Sequence, residues 1–391
     1  MTAHEEEFQS GALHRRLGLN RRQFLAATTG LTAAATVAGV GPLASAAQAA
    51  SGHDHGHGHD HGPKGALVAP SKRGIILYTV RDAISRDPLS TTLASGFRPV
   101  LEELSRIGYR QVEFAGYGQH ANSEGGANLE TVEGARLLRR WLDDNGLEAE
   151  GNHGFIPGSW PFTQPDLDRF KQHLEIANIL GFGHVGTGND PTGSAYKADW
   201  DVAADKWNAL GRIASAAGLK LYTHNHDVAY SFLLDEGPLD EQGRPTRSSG
   251  TRRLEYFLKI TDPRHVWLEM DIFWAHVAQF KYRTFTAPDG STRTDVFNPL
   301  RVVQKQTKRF PLFHAKDGKS NPTTGNGYDM VPFGTGDIDY ATFFSQMGAR
   351  GYHNPMYEQD NAPGGTANPN QSLEFSEVSY DNLAALRAPR H

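Results

Sequence analysis

Leu219-Lys220-Leu221-Tyr222-Thr223-His224-Asn225-His226-Asp227 begins as a β-forming run and ends in imidazoles, an amide and an acid. Three later stretches repeat the form: Trp267-Leu268-Glu269-Met270-Asp271, Phe313-His314-Ala315-Lys316-Asp317 and Met356-Tyr357-Glu358-Gln359-Asp360. The intervals are nearly constant, 45 residues from His226 to Asp271, 43 from Asp271 to His314 and 44 from His314 to Glu358. Each of these side chains therefore holds the same place in a repeating unit, at the carboxyl end of a strand. Strand side chains alternate, so His224 and His226 are expected on one face, and spacing alone does not separate them as ligands.

Working outward, β-branched or aromatic runs alternate with stretches that are apolar at helical spacing. Strands are predicted at 75–78, 111–115, 147–152, 183–188, 219–224, 265–270, 311–316 and 354–357. Helix faces are marked by Val100, Leu101, Leu104 and Ile107; by Leu129, Val132, Leu138, Trp141 and Leu142; by Leu167, Phe170, Leu174, Ala177 and Leu180; and by Ala203, Trp207, Leu210, Ala214 and Ala217. Four more helices are predicted around 254–260, 300–310, 340–347 and 373–386. Eight strand–helix pairs without a linker-like break fit a closed parallel sheet, an α/β (β/α)8 TIM barrel, better than a doubly wound open sheet. Two polar connections, 233–249 and 281–298, are longer than a connection requires and read as lids or surface insertions.

In such a barrel the strand ends converge at one mouth, where barrel enzymes keep their active sites. The chain of 391 residues has no Cys, so a metal there must rest on imidazoles and carboxylates. His224 or His226 with Asp271, His314 and Glu358 form a mixed nitrogen and oxygen set suited to Mn, Zn, Co or Fe(II) more than to Ca. Around the same mouth Tyr78, Arg81, His153 and Trp274 are expected as substrate contacts. Glu113, Lys316 and Glu358, with the spare strand-five histidine, are the candidate proton carriers.

The N-terminus carries a different signal. Asn20-Arg21-Arg22-Gln23-Phe24-Leu25 precedes a weakly apolar run that ends at Ala47-Gln48-Ala49. This is the form of a twin-arginine export signal over residues 1–49, so the twin-arginine machinery is an expected partner and the mature chain is expected to be secreted or extracytoplasmic. Gly30, Gly39, Gly41 and Pro42 interrupt the run, which argues against a stable membrane anchor. Residues 50–70 follow as a disordered arm in which His53, His55, His57, His59 and His61 alternate with Gly and Asp, a composition able to capture ions with low specificity. The barrel domain is expected over 71–391. Removing the signal's four arginines and three glutamates leaves 35 basic and 41 acidic residues, net −6. A nucleic-acid partner does not fit that balance.

The barrel segment resembles the xylose isomerase-like superfamily of sugar phosphate isomerases and epimerases. The matching phrases are Leu77-Tyr78-Thr79-Val80-Arg81-Asp82, Gly108-Tyr109-Arg110-Gln111-Val112-Glu113-Phe114-Ala115-Gly116, His224-Asn225-His226-Asp227, Met270-Asp271, His314-Ala315-Lys316-Asp317, Phe333-Gly334-Thr335-Gly336-Asp337-Ile338-Asp339 and Glu358-Gln359-Asp360-Asn361. The resemblance implies one divalent metal, carried over to Asp271, His314 and Glu358, and a small carbohydrate as substrate. The described epimerases place a glutamate on strand five where this chain has His224. The His-Asn-His form resembles a branch of secreted and sugar-catabolic proteins, for which keto-sugar isomerisation, dehydration and lyase chemistry are all open. The expected reaction removes the proton next to a carbonyl. A non-catalytic metal- or sugar-binding protein is the alternative from another class; an endonuclease of the abasic-site repair type would require a richer multi-metal cluster and a basic DNA-facing surface, and neither the export signal nor a net charge of −6 fits it.

Overall fold

The computed structural model describes residues 65–389. The export signal expected over 1–49 and the five histidines of the arm lie outside the described residues. Eight parallel strands follow one another: β1 (Gly74–Ile76), β2 (Gln111–Phe114), β3 (Glu148–Asn152), β4 (His184–Thr187), β5 (Lys220–Thr223), β6 (Val266–Asp271), β7 (Leu312–Ala315) and β8 (Asn354–Tyr357). Their order in the sheet is β3-β2-β1-β8-β7-β6-β5-β4. The two edges meet through a parallel bridge between His153 and Gly186, where Gly154 N donates to Gly186 O at 2.8 Å. The result is the TIM barrel that the strand and helix alternation predicts.

A helix covers the outside after each strand: Phe97–Ile107, Val132–Asp144, Gln164–Leu180, Lys197–Ala216, Arg253–Ile260, Pro299–Lys305, Tyr340–Gln346 and Gln371–Ala385, with Ile272–Lys281 added directly after β6. Side-chain caps start several of them. Thr131 accepts from Gly134 N, Thr163 from Asp166 N and Asn298 from Arg301 N, each filling a donor that a helix start leaves unpaired.

Three local expectations are corrected. The first strand stops at Ile76, because Leu77, Val80, Ala83 and Ile84 are buried at helical spacing while Tyr78 is 41% exposed, and the chain turns through Leu77–Val80 into Arg81–Ile84. The helix predicted over 300–310 ends at Lys305. Beyond it Arg309 is drawn inward, donating to Val266 O, Leu258 O and Thr261 Oγ1 at 2.8–3.1 Å. The arm expected to run to residue 70 is already packed before that point. Leu67 and Val68 are buried, and Leu67 N donates to Leu386 O at 3.2 Å.

The two long connections contain hairpins. Glu236–Leu239 pairs with Pro245–Arg247, and Thr284–Thr286 with Thr292–Thr294. They are tied to each other where Ser248 N donates to Thr286 O at 2.9 Å. The buried Arg252 guanidinium holds both connections, reaching Tyr230 O at 2.6 Å and Asp295 O at 2.6 Å. A third hairpin, Asp317–Ser320 with Tyr328–Val331, rises from the end of β7.

Inside the barrel, inward side chains stack in storeys. Tyr222, Leu312 and Met356, with Trp267 against them, form an apolar floor. Glycines on neighbouring strands make room for it: a Cβ at Gly74 would lie 2.2 Å from Met356 Sδ, and one at Gly186 2.2 Å from Tyr222 O. Because Gly186 also carries the closing bridge, Gly186→Ala must push β4 from β5. It is expected to cost about 1–3 kcal/mol, the usual penalty for overpacking, read as a lower midpoint of urea unfolding. An unchanged midpoint would mean that the closure is slack.

Candidate functional site

Alternation along the strands carries polar side chains onto this floor. Glu113 on β2, Glu269 and Asp271 on β6 and His314 on β7 point into the barrel, and His224, Lys316 and Glu358 follow just past the ends of β5, β7 and β8. All seven are buried. His314 stands beside Asp271 in the β6–β7 register, so two of them are neighbours by strand pairing alone.

The lower storey is built around Glu269. Its Oε2 lies 2.9 Å from His153 Nε2, 3.2 Å from His224 Nδ1 and 3.2 Å from His314 Nε2. Glu113 Oε2 also faces His314 Nε2, at 3.0 Å, and Glu113 Oε1 accepts from the Tyr222 hydroxyl. Burial opposes the charge on Glu269, but His314, His153 and His224 outweigh it and hold the carboxyl well below its usual range. Glu113 goes the other way, pushed up by burial and by Glu269.

The upper storey faces the mouth. His224 Nε2 lies 3.7 Å from Asp271 Oδ2, and His314 Nδ1 lies 2.6 Å from Glu358 Oε2. The Lys316 ammonium lies 2.9 Å from Asp271 Oδ2, 2.7 Å from Glu358 Oε2 and 3.1 Å from Asp360. Burial opposes the charge on Lys316, and these three carboxylates overcome it and raise its pKa. Asp271 is pushed up to about 6 by burial, against the pull of Lys316. Its other oxygen, Oδ1, caps the helix Ile272–Lys281 by accepting from Trp274 N at 2.9 Å.

Two overlapping sets bring four ligand atoms within 4.8 Å of one another: His153, His224, Glu269 and His314 below, and His224, Asp271, His314 and Glu358 above. The upper set fits a divalent cation. Asp271 Oδ2, His314 Nδ1 and Glu358 Oε2 are buried, make no well-directed hydrogen bond, and face one another and the Lys316 ammonium. Two nitrogens and two carboxylates suit Mn, Zn, Co or Fe(II).

The other expected site residues scatter. His226 is corrected: the strand ends at Thr223, alternation is lost, and its side chain stays 42% exposed with its ring against Trp274, 5.7 Å between centroids. Its backbone N donates to Asp190 Oδ1 at 3.0 Å, and it does not belong to either four-residue set. His153 belongs to the lower storey, not to the rim. Arg81 lies over the Tyr78 ring at 4.0 Å and donates to Asp360 O at 2.7 Å, tying the first loop to the last. Trp274 stands 5.6 Å from the Lys316 ammonium, its indole N–H unpaired. The Phe333-Gly334-Thr335-Gly336 phrase wraps Asp317, whose Oδ2 accepts from Gly334 N at 2.9 Å and Gly336 N at 3.1 Å. That role is structural. Glu269 and Tyr222 were missed, although the alternation that turns Asp271 and His224 inward turns them inward too.

A parallel barrel with acids and imidazoles gathered at the carboxyl ends of its strands has the architecture on which barrel enzymes are built. Residues 101–375 match the family model of the xylose isomerase-like TIM barrel, and the chain belongs to that family. Among solved structures it is similar to a sugar phosphate isomerase/epimerase from Parabacteroides distasonis, with 21% identity, TM-score 0.57 and 83% of this chain and 98% of that one covered. It is also similar to D-psicose 3-epimerase from Clostridium cellulolyticum, with 13% identity, TM-score 0.51, and 81% and 100% covered. A probable 3-DHS dehydratase from Bacillus anthracis shares 13% identity at TM-score 0.53, with 80% and 98% covered. At these identities the likeness is one of fold. No curated protein matches the chain.

Lys316 gives a direct test of the upper storey's charge balance. Lys316→Met leaves Asp271 and Glu358 buried against each other without their cation, which is expected to cost the metal-free protein about 3–5 kcal/mol. Urea unfolding with and without added Mn²⁺ measures it, and the ion should restore part of the loss.

Proposed function

We propose that the protein is a metal-dependent enzyme of the sugar isomerase and epimerase kind, acting on a small carbohydrate by removing the proton next to a carbonyl. The observation that carries this reading is the upper storey, where three buried ligand atoms from β6, β7 and the end of β8 converge with no well-directed hydrogen bond among them. His224, Asp271, His314 and Glu358 would hold the ion. When bound there, a divalent cation supplies the positive charge that stabilises an oxyanion developing on a carbonyl and its neighbouring hydroxyl.

The chain's own groups then divide the remaining work. Glu113 lies in the lower storey, engaged by Tyr222 and His314, and is out of reach of a substrate at the mouth. Lys316 is held protonated by three carboxylates, which suits it to donating a hydrogen bond to a substrate oxygen rather than to taking a proton. His226 is the base of choice. Burial and the Lys316 charge lower its pKa, keeping the imidazole neutral near pH 7, and it is the most exposed of the three strand-five and strand-seven histidines at the mouth. A protonated Lys316 also serves elimination, by assisting the departure of a β-oxygen, and this keeps a lyase or dehydratase as the second reading. Tyr78, Arg81 and Trp274 would contact the substrate from the rim. The twin-arginine phrase at 20–25 and the Ala47-Gln48-Ala49 ending support export as the route to an extracytoplasmic site. Among the described residues no helix is long and apolar enough to cross a membrane.

Asn caps a helix as well as Asp does, so Asp271→Asn keeps the helix start and removes only the ligand charge. Asp271→Asn and Glu358→Gln are expected to lose one bound ion per chain by elemental analysis, and with it proton exchange of keto-sugars in heavy water. Retention of both ion and exchange in these variants would sink the reading. His226→Gln should keep the ion and slow exchange about 10²–10⁴-fold, the usual contribution of a general base. Appearance of an unsaturated product in place of an isomer would select the lyase reading.

A further inference from the structure

Glu269 is the buried charge that this chemistry leaves unused. It is fully buried, on the same strand as Asp271 and one inward step below it. Three imidazole nitrogens converge on a single oxygen of it: His153 Nε2 at 2.9 Å, His224 Nδ1 at 3.2 Å and His314 Nε2 at 3.2 Å. An ionised carboxylate only accepts, so His153 Nε2 and His224 Nδ1 bring a hydrogen to it, and His314 Nε2 brings one to the pair of lower acids, bonding Glu113 Oε2 with Glu269 close by. A neutral imidazole carries one N–H, and the tautomer of His224 is thereby chosen from below, while His314 keeps its Nε2–H toward the lower acids. His224 is left with its lone pair on Nε2, 3.7 Å from Asp271 Oδ2, while the surrounding carboxylates keep His314 protonated, so that its Nδ1–H meets Glu358 Oε2 at 2.6 Å and Nδ1 becomes a ligand atom when a cation replaces that proton. Both of these nitrogens face the upper storey. The nitrogens that would bind the ion are thus different atoms of the two rings, an arrangement that sequence spacing does not prescribe and that a freely turning ring would not keep.

The two rings are not equally dependent on this support. His314 Nε2 has a second acceptor in Glu113 Oε2 at 3.0 Å, whereas the acceptor that faces His224 Nδ1 is Glu269. His153 braces Glu269 from the third side and offers nothing to the upper set. We propose that Glu269 is a positioning residue: it orients His224 and His314 toward the cation site and makes their free nitrogens better donors, acting through His224 above all. The proposal rests on the metal reading given above. The lower four residues are not themselves the ion's cage on this view, because the imidazole nitrogens that meet there are the ones that carry hydrogen to the lower acids. Carboxylates placed behind metal-binding imidazoles commonly have this role, and their loss weakens metal affinity about 10–100-fold.

The test uses the full chain with His53, His55, His57, His59 and His61 replaced by Gln, so that the arm does not compete for ions. Co²⁺ is titrated into the metal-free protein, following its visible absorption, with the urea midpoint of the ion-free form recorded for each variant. Glu269→Gln is expected to bind Co²⁺ about 10–100-fold more weakly, with a shifted ligand-field spectrum. Glu269→Gln combined with His224→Gln should be no weaker than His224→Gln alone. Equal affinity and spectrum in Glu269→Gln, with binding abolished in Asp271→Asn, would overturn the positioning role and leave the metal reading standing. Loss of binding in Glu269→Gln and His153→Gln, with Asp271→Asn and Glu358→Gln unaffected, would put the ion in the lower storey and overturn both. No uptake by the parent chain would end the metal reading and this proposal with it. Wild-type protein labelled with ¹⁵N-histidine and loaded with Zn²⁺ gives a readout that needs no variant: one imidazole bound through Nε2 and one through Nδ1. Coordination of both rings through the same atom would refute the assignment.

Discussion

A charge inside a barrel must be matched by another within reach, because the water that would solvate it has been replaced by side chains. Here six titratable groups and a lysine share the space above an apolar floor of Tyr222, Leu312 and Met356. The matching is done by alternating kinds of group with height. Carboxylates of Glu113 and Glu269 lie below, imidazoles of His224 and His314 span the middle, and Asp271, Glu358 and the Lys316 ammonium lie above. Remove one layer and the next holds uncompensated charge.

Two-ended side chains make this stacking possible. An imidazole presents two nitrogens on opposite edges, and His224 and His314 each use one edge for the lower acids and the other for the upper ones. Asp271 divides its oxygens in the same way, Oδ1 to the backbone of the helix it starts and Oδ2 to the site. The position of that carboxylate is therefore set by a helix cap as well as by a strand, so the site inherits the rigidity of the barrel.

The rim is held by contacts between loops that are far apart in the chain. Arg81 joins the first loop to the last through Asp360, whose carboxylate also meets Lys316. Arg252 fastens the two hairpin connections, and Asp317 gathers the glycines at 334 and 336 around its carboxylate. These are buried or partly buried charges satisfied mainly by backbone carbonyls and amides, which hold loops in one place without an apolar core of their own.

The barrel itself was legible in the sequence, since periods of two and of 3.6 residues record which face of each element meets the core, and eight such pairs leave few ways to bury them. The intervals of 43 and 44 residues between Asp271, His314 and Glu358 likewise placed them at one mouth, because each falls near the carboxyl end of its own strand. Where a strand ends is decided by tertiary contacts, and this is why His226 left the face that alternation assigned to it and why the first strand gave way to a turn at Leu77. The role of Glu269 was hidden for a related reason. Sequence shows that it points inward with Asp271, but the convergence of three imidazoles on one of its oxygens depends on how four strands are staggered around the barrel, a relation between distant segments that no local pattern carries.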